Sequence, residues 1–403
     1  MRGQQDSQSD SGDEEGDHFL KDRSRFSPPP PSPDDLDDIQ PDMLPPLSCP
    51  RLVDRPREFR HFLFVFLTFS LLTAAIALLI WLSGWVETEF EMTSVTSTRE
   101  LRPVPKMLQE MVKDPTSLRV MYHGAGRDHK DPPFQLVVLV ESQASHSDLR
   151  RAARETWASS PSVGGASLII FTVAARGLSS DRMQHLERES RAHGDMAVFT
   201  DSAALPESEH LLYQLGWLQH SVSYHFLLRT KDRYYVRLDE ILHSLQPHDP
   251  ATSSLYWGYF EANRHAKQRW TGKHWEPDWF LCSKFIRFAH SGGYVISQTL
   301  VQRLVRSAHY LQLYMNEDIA VATWLSPFGD VTWKHDVRFD TDPGQSRGCQ
   351  NTFLVFPVNS YGDMIVRHQR LRDSHKVCRK EHFLLRPHTF DFSVVPSQCC
   401  HSL

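Results

Sequence analysis

Two acidic residues stand directly before an apolar segment of helical character. Glu317 and Asp318 precede the sequence IAVATWL, so both side chains are expected in the first turn of a helix. The helix dipole favours the ionised form of a carboxylate there, and an ionised carboxylate can accept a proton. The alternative is that both residues only cap the helix. Glu317 and Asp318 are therefore candidates for catalysis, with helix capping as the competing interpretation.

Three further polar residues follow an apolar strand. Lys231, Asp232 and Arg233 come directly after HFLLRT, which begins at His225. In open α/β sheets, ligands bind beyond the carboxyl ends of the strands, so this is where a site is expected first. Side chains two apart on an extended segment point the same way, and Lys231 and Arg233 are therefore predicted to project together.

The elements around these residues alternate between strands and helices. The pattern predicts an α/β fold with a mostly parallel, twisted sheet that carries helices on both faces. The predicted strands begin at Phe134, Ser167, Met196 and His225, and the predicted helices cover residues 147–157, 181–193 and 207–223.

An uncharged apolar run sets the domain organisation. Residues 62–86 are long enough to cross a bilayer as one helix, and basic residues precede the run while acidic residues follow it. We therefore predict a cytoplasmic tail (1–61), a transmembrane signal anchor (62–86), a stem (87–131) and a luminal domain (132–403). A cleaved signal peptide is the alternative, but the run is long and starts far from the N-terminus.

Charge and cysteine content indicate the partners and the compartment of the protein. The first fifty residues hold twelve acidic and four basic side chains, a net charge of −8, which predicts disorder and leaves +3 for the rest of a chain of net charge −5. This near-neutral remainder is unlike a nucleic-acid-binding surface, so no nucleic-acid partner is expected. Five of the six cysteines follow the apolar run, which fits disulfide bonding in an oxidising lumen; zinc ligation is the less favoured alternative.

Three motifs in order resemble the β1,3-glycosyltransferase family. They are LRRAARETW from Leu149, HSGGYVIS from His290 and NEDIAVATWL from Asn316. The segments WKHDVRFDT, SRGCQN and PSQCC are similar to its galactosyltransferase II subfamily, which adds the second galactose of the glycosaminoglycan linkage tetrasaccharide. The resemblance covers residue 134 to the C-terminus and implies a GT-A type fold in a Golgi membrane enzyme of type II topology.

The resemblance also implies roles for individual residues. Asp318, beside Glu317, would deprotonate the acceptor hydroxyl of a glycan or proteoglycan, and UDP-galactose would be the donor. The donor-binding candidates are Arg150, Arg154, Lys231, Asp232, Arg233, Trp257, Gly292 and Gly293. The competing interpretations are a solvated basic helix face for the arginines, core packing for the tryptophan and a plain turn for the glycines.

The expected metal site departs from the family pattern. The family carries an acidic triplet that holds Mn²⁺ against the diphosphate, and Asp232 is the only acidic residue left in the triplet here. His335 resembles a late histidine that can complete the metal site, although a hydrogen bond to Asp336 or water explains it equally well. Lys231 and Arg233 together carry +2 opposite a diphosphate of about −2, so transfer without a metal is electrostatically reasonable.

The sequence is also compatible with two other functions. A catalytically inactive Golgi protein of the same fold would bind a glycan or a partner enzyme, and the loss of the acidic triplet favours it, whereas Asp318 opposes it. A membrane adaptor that acts through its acidic tail would need no luminal pocket, and the long organised domain argues against it.

Overall fold

The computed structural model describes residues 70–76, 103–124, 132–202, 206–262, 264–266, 275–279, 281, 283–342 and 348–383. The chain divides into two units, Met1–Glu89 and Phe90–Leu403. In the first unit, residues 70–76 are helical. No helix in the described ranges is long and apolar enough to cross a membrane. The predicted tail and most of the predicted span and stem lie outside those ranges.

The second unit alternates strands and helices, as the sequence pattern predicts. Its α-helices are α1 (Lys106–Lys113), α2 (Ser147–Glu155), α3 (Ser180–His193), α4 (Glu207–Ser221), α5 (Leu238–Leu245), α6 (Gln298–Ser307), α7 (Glu317–Leu325) and α8 (Tyr361–Ser374). Its strands are β1 (Val120–Tyr122), β2 (Phe134–Glu141), β3 (Ser167–Ala174), β4 (Met196–Phe199), β5 (Tyr224–Lys231), β6 (Tyr234–Val236), β7 (Leu255–Glu261), β8 (Phe288–Ser297), β9 (Thr332–His335), β10 (Gly348–Cys349), β11 (Val355–Pro357) and β12 (His382–Phe383).

One eight-stranded sheet organises this unit. Its strand order is β1-β4-β3-β2-β5-β8-β7-β9. Strands β4, β3, β2 and β5 pair in parallel, and β7 pairs in parallel with β9, whereas β8 runs antiparallel to both β5 and β7. The mixed α/β fold with a mostly parallel sheet is therefore confirmed. The antiparallel insertion of β8 brings the predicted glycine motif beside the end of β5.

Helices cover both faces of the sheet because the central strands are apolar on both sides. Along β2, Val137 and Leu139 belong to one core, whereas Leu136, Val138 and Val140 belong to the other. The first core packs against α1, α4, α6 and α7, and the second against α2, α3, α5 and α8. A continuous apolar run in β2 thus produces a three-layer arrangement.

Two short two-stranded sheets accompany the main sheet. Strand β6 pairs with β11, and β10 pairs with β12. A disulfide joins Cys349 to Cys378, with their Cα atoms 5.7 Å apart. The prediction of disulfide bonding is confirmed for this pair, while Cys282, Cys399 and Cys400 lie outside the described residues.

Gly292 and Gly293, predicted to bind the donor, lie within β8, so the competing interpretation of a plain turn is wrong. A Cβ atom on Gly292 would lie 2.5 Å from the carbonyl oxygen of Thr341 and 2.5 Å from the Tyr234 ring. One on Gly293 would lie 2.9 Å from a methyl group of Val355. These glycines therefore allow other segments of the protein to approach β8 closely, and the described contacts explain them without a ligand.

Replacing Gly292 with alanine should destabilise the fold by about 1–3 kcal/mol, because the added methyl group overlaps buried backbone and a buried ring. Denaturant unfolding measures the loss. Gly329→Ala is the matched control, since a Cβ at Gly329 meets nothing within 4 Å. Equal midpoints for the two variants would contradict this account of β8.

Candidate active site

The centre of the candidate site is a buried arginine on β5. Arg229 is 1 % exposed, and its guanidinium donates to Glu317 Oε1 at 3.2 Å, to Glu317 Oε2 at 3.0 Å and to Glu141 Oε2 at 2.9 Å. Glu141 ends β2 and Glu317 begins α7. One guanidinium therefore joins the carboxyl ends of two parallel strands to the N-terminus of a helix.

The start of α7 is held from two sides. The hydroxyl group of Tyr294 on β8 donates to Glu317 Oε1 at 2.9 Å. Ahead of the helix, the buried carboxylate of Glu276 accepts the backbone N–H groups of Met315 and Asn316 at 2.8 and 3.1 Å. Glu317 thus binds the sheet, so helix capping does not account for its carboxylate.

Asp318 contacts β8 instead of solvent. Its Oδ1 accepts the backbone N–H of Ser291 at 3.2 Å, and its Oδ2 lies 3.5 Å from Nδ1 of His290. Burial opposes ionisation of Asp318, but the contact with His290, the charge of Lys231 and the Ser291 N–H outweigh it and lower its pKa below the usual range. The predicted candidate base is therefore a buried, ionised carboxylate.

Lys231 lies among carboxylates at the end of β5. Its Nζ is 3.6 Å from Glu141 Oε2 and 3.6 Å from Glu207 Oε1, and its side chain is 29 % exposed. Burial works against its charge, but these two carboxylates outweigh it and raise the pKa of Lys231. The prediction that Lys231 and Arg233 project together assumed an extended backbone over residues 231–233. This assumption is wrong, because the strand ends at Lys231 and the chain turns at Asp232 and Arg233. Arg233 is exposed on that turn.

Asp232 already has protein partners. Its Oδ2 accepts from Ser142 Oγ at 2.7 Å and contacts His146 Nδ1 at 2.8 Å, and the residue is 4 % exposed. Arg150, which is fully buried, donates to Ser142 Oγ at 2.8 Å. These contacts link the turn after β5 to the start of α2.

The structure gives both predicted donor-binding arginines a structural role. Arg150 makes two charge-assisted bonds to Glu189, at 2.8 and 2.6 Å. Arg154 binds Asp195 through two nitrogens at 2.7 and 2.8 Å and Glu189 at 2.8 Å. A guanidinium as buried as that of Arg150 has no surface for a nucleotide. Arg154 borders a groove of about 740 Å³ between α2 and α3, and neither Lys231 nor Asp318 is among the residues that line it.

Trp257 belongs to the core, so its prediction as a donor-binding residue is not supported. The side chain is fully buried on β7, and its indole N–H donates to Asp336 Oδ2 at 3.0 Å. Its ring packs edge-on against Phe339 at 5.1 Å between centroids. A tryptophan enclosed in this way presents no face on which a sugar could stack.

The residues expected to hold a metal do not fit one. His335 Nδ1 accepts the backbone N–H of Phe260 at 3.0 Å, so a neutral ring carries its proton on Nε2, the nitrogen that a metal would need. Asp232 is held by Ser142 and His146. Within the ranges that the structure describes, no three His, Cys, Asp or Glu side chains are grouped to hold a metal ion. The expected Mn²⁺ site is therefore not formed by these side chains.

Comparison with known proteins identifies the family. The family model described as Galactosyltransferase matches residues 148–335, which include Asp232, His290 and Asp318. The chain is 37% identical over 271 residues to beta-1,3-galactosyltransferase 6 of Mus musculus, covering 66% of this chain and 82% of that protein. The chain belongs to the β1,3-glycosyltransferase family.

Other similarities are weaker. UDP-GlcNAc:betaGal beta-1,3-N-acetylglucosaminyltransferase 8 of Mus musculus is 30% identical, over 57% of this chain and 60% of that protein. Among solved structures, a mannosyltransferase from Pyrobaculum calidifontis in complex with GDP-Man and Mn²⁺ is 10% identical, with a TM-score of 0.33 and coverage of 67% of this chain and 71% of that one. A TM-score this low has no bearing on the fold or on the metal site here.

Several residues of the site were not predicted from the sequence. They are Glu141, Glu207, Arg229, Glu261 and His290. One signal was present: Arg229 interrupts the apolar strand HFLLRT, and a charge inside a buried strand requires a buried partner. The partners themselves are distant in sequence, with Glu141 and Glu317 each 88 positions from Arg229.

Arg150→Ala should lower the free energy of unfolding by about 3 kcal/mol, because it removes a fully buried guanidinium and leaves Glu189 with Arg154 as its remaining ionic partner among the described residues. Denaturant unfolding measures the loss. Arg151→Ala is the matched control on the same helix, where the side chain is 64% exposed, and it should change stability by no more than about 0.5 kcal/mol. If Arg150→Ala were as stable as the control and instead weakened binding of a nucleotide sugar, the structural assignment of Arg150 would be wrong.

Proposed function

We propose that the chain is an inverting β1,3-galactosyltransferase that moves galactose from UDP-galactose to a galactosyl-xylose acceptor in proteoglycan linkage synthesis. The observation that carries this proposal is the Asp318 carboxylate, held ionised at the start of α7 beside the carboxyl end of β5. The β1,3-galactosyl specificity is supported by the mouse relative, which is named for that activity. The galactosyl-xylose acceptor rests on the resemblance of the late motifs to galactosyltransferase II.

In this mechanism Asp318 acts as the general base. It takes the proton of the acceptor 3-hydroxyl as the hydroxyl oxygen attacks C1 of the α-linked galactose. The bond from C1 to the diphosphate oxygen breaks, UDP leaves, and a β1,3 linkage forms with inversion. An ionised carboxylate offers about four lone-pair positions, and the described contacts of Asp318 use one on each oxygen. Positions therefore remain for the acceptor hydroxyl.

The leaving diphosphate needs positive charge, and we propose that Lys231 and Arg233 supply it. The carboxylates near the end of β5 already face fixed cations: Glu141 contacts both Arg229 and Lys231, and Asp318 faces His290. These ion pairs leave no carboxylate set suited to a divalent ion in the described part of the chain. Lys231 is partly exposed and Arg233 is exposed, so both can meet an anionic ligand without leaving the fold.

An inactive glycan-binding protein of the same fold is the second candidate. Its supporting observation is that both carboxylates in contact with Lys231 neutralise the ammonium that should serve the leaving group. An assay with UDP-galactose and a β-galactosyl-xyloside separates the two functions, since only the transferase releases UDP in proportion to product.

We also propose a Golgi membrane location with type II topology, in which residues 62–86 anchor the chain. The support is the uncharged apolar run and the basic residues before it. Protease protection of the C-terminal unit in intact vesicles tests the orientation. Digestion of that unit without detergent would overturn it.

Replacing the base should abolish most of the activity. Asp318→Asn keeps the shape of the side chain but cannot accept the proton, so the transfer rate should fall about 10²–10⁴-fold. The measurement is galactose transfer to the β-galactosyl-xyloside. Asp373→Asn on α8, at an exposed position, is the matched control and should keep the parent rate. An Asp318→Asn variant as fast as this control would remove Asp318 as the base.

Transfer should also continue without added metal. We expect EDTA to change the rate by less than about twofold, because fixed cations occupy the positions near the carboxylates. Loss of activity in EDTA with recovery on adding Mn²⁺ would refute transfer without a metal.

Arg233→Ala should raise the KM for UDP-galactose about tenfold through the loss of a charge-assisted contact to the diphosphate. Arg372→Ala, exposed on α8, is the control and should keep the KM of the parent.

A further inference from the structure

A row of three charged residues extends inward from Asp318. His290 on β8 lies between Asp318 on α7 and Glu261 on β7, and its side chain is fully buried. Its Nδ1 is 3.5 Å from Asp318 Oδ2, and its Nε2 is 3.1 Å from Glu261 Oε2. The function proposed above uses His290 only as a charge that faces Asp318, and it assigns no role to Glu261.

The two carboxylates of this row favour the protonated form of the imidazole. Each ring nitrogen of His290 faces a carboxylate oxygen. A neutral imidazole carries a proton on one nitrogen only, so its other lone pair would face a carboxylate with no hydrogen between them. Imidazolium has a proton on both nitrogens and therefore meets each carboxylate with an attractive charge at ion-pair distance. Two carboxylates with one imidazolium also leave less unbalanced charge in the interior than two carboxylates alone.

We propose that His290 is a positioning residue for Asp318: its imidazolium, anchored by Glu261, holds the Asp318 carboxylate ionised and oriented toward the acceptor hydroxyl. This inference rests on the proposed function for its catalytic consequence. The ionic contact itself does not depend on that function. His290 is not assigned a contact with the substrate, since it acts through Asp318.

Charged groups of both signs and two aromatic rings surround His290. Arg264 forms an ion pair with the other oxygen of Glu261, Oε1, and the Tyr259 ring stacks on the imidazole at 6.0 Å while Phe288 meets it edge-on. Near Asp318, Lys231 adds positive charge, and Glu207 and Glu317 add negative charge when ionised. Burial opposes protonation, but contacts with Asp318 and Glu261 outweigh it and raise the pKa of His290 to about 9.

The consequence for catalysis is a base that stays available in acid. A buried carboxyl group without a cation beside it would have a raised pKa and would lose its charge in mildly acidic solution. The imidazolium prevents that loss. The resulting carboxylate is a weak base, so it takes the proton only as the hydroxyl oxygen bonds to C1 and the hydroxyl becomes acidic.

The first test is the pH profile of kcat/KM for His290→Gln, measured on the full chain with UDP-galactose and a β-galactosyl-xyloside. The parent should show no fall in rate from pH 7 to pH 5. The variant should lose about tenfold or more over that interval, because burial without the imidazolium can raise the pKa of a carboxyl group by about 3–5 units, which brings the titration of Asp318 into this range. His193→Gln, at an exposed position on α3, is the matched control and should follow the parent. His290→Lys, which restores a cation, should recover part of the rate at pH 5.

The second test measures unfolding and needs no activity. The pKa of His290 is about 9 in the folded chain and about 6.5 when unfolded, so its stabilisation is complete below pH 6.5 and is lost as pH rises toward 9. The unfolding midpoint of the parent and of His193→Gln should fall over this range. His290→Gln should show a smaller fall. Glu261→Gln keeps the imidazole in place and should shift the loss of stability to lower pH. If His290→Gln does not fold, this variant alone tests whether His290 is protonated in the folded chain.

The two tests separate the inference from the proposed function. If the parent transfers no galactose at any pH, the proposed function fails, and the unfolding profiles alone decide whether His290 is an imidazolium paired with Asp318. If His290→Gln and Glu261→Gln both unfold with the pH dependence of the parent, the pairing is refuted. A His290→Gln variant with the unfolding change but the parent's flat rate profile overturns the positioning role.

Discussion

The buried guanidinium of Arg229 is the interaction on which the site depends. It lies at the end of β5 and binds Glu141 of β2 and Glu317 of α7, while Tyr294 of β8 completes the surroundings of Glu317. A charge this deep is tolerated only when its partners are in place, so these four elements have to come together as a unit. Once Glu317 is held, the orientation of Asp318, the next residue of the helix, is fixed as well.

The regular elements of this unit were predictable because each has a local signal. The strands β2, β3 and β5 are apolar runs between polar segments, and their observed bounds lie within about a residue of the predicted ones. The α7 helix was predictable from IAVATWL. Parallel pairing of β2 and β5 then placed the site at their carboxyl ends, which is where Arg229 and Lys231 lie.

The contacts of the site were not predictable, since they depend on residues that the fold brings together over long sequence separations. Glu207 reaches Lys231 from α4, and Glu261 reaches His290 from a neighbouring strand. Residue type alone also led to unsupported donor-binding predictions where burial determines the role of a side chain. Trp257 has the chemistry of a sugar-stacking residue and the burial of a core residue, and Arg150 has the chemistry of a phosphate ligand but is fully buried. Sequence patterns report chemistry and periodicity, whereas burial is set by packing.

The two adjacent acids at the start of α7 show how position separates chemical roles. Burial and the Glu141 carboxylate raise the pKa of Glu317 to about 7 against the opposing charge of Arg229, whereas His290 keeps the pKa of Asp318 below its usual range. Successive residues on a helix point about 100° apart, so Glu317 meets the cluster around Arg229 and Asp318 meets β8. Environments that push two neighbouring acids in opposite directions give them different protonation states near neutral pH. Arg229 binds both oxygens of Glu317, which makes this residue part of the scaffold, whereas Asp318 stays ionised, as its proposed role in proton transfer requires.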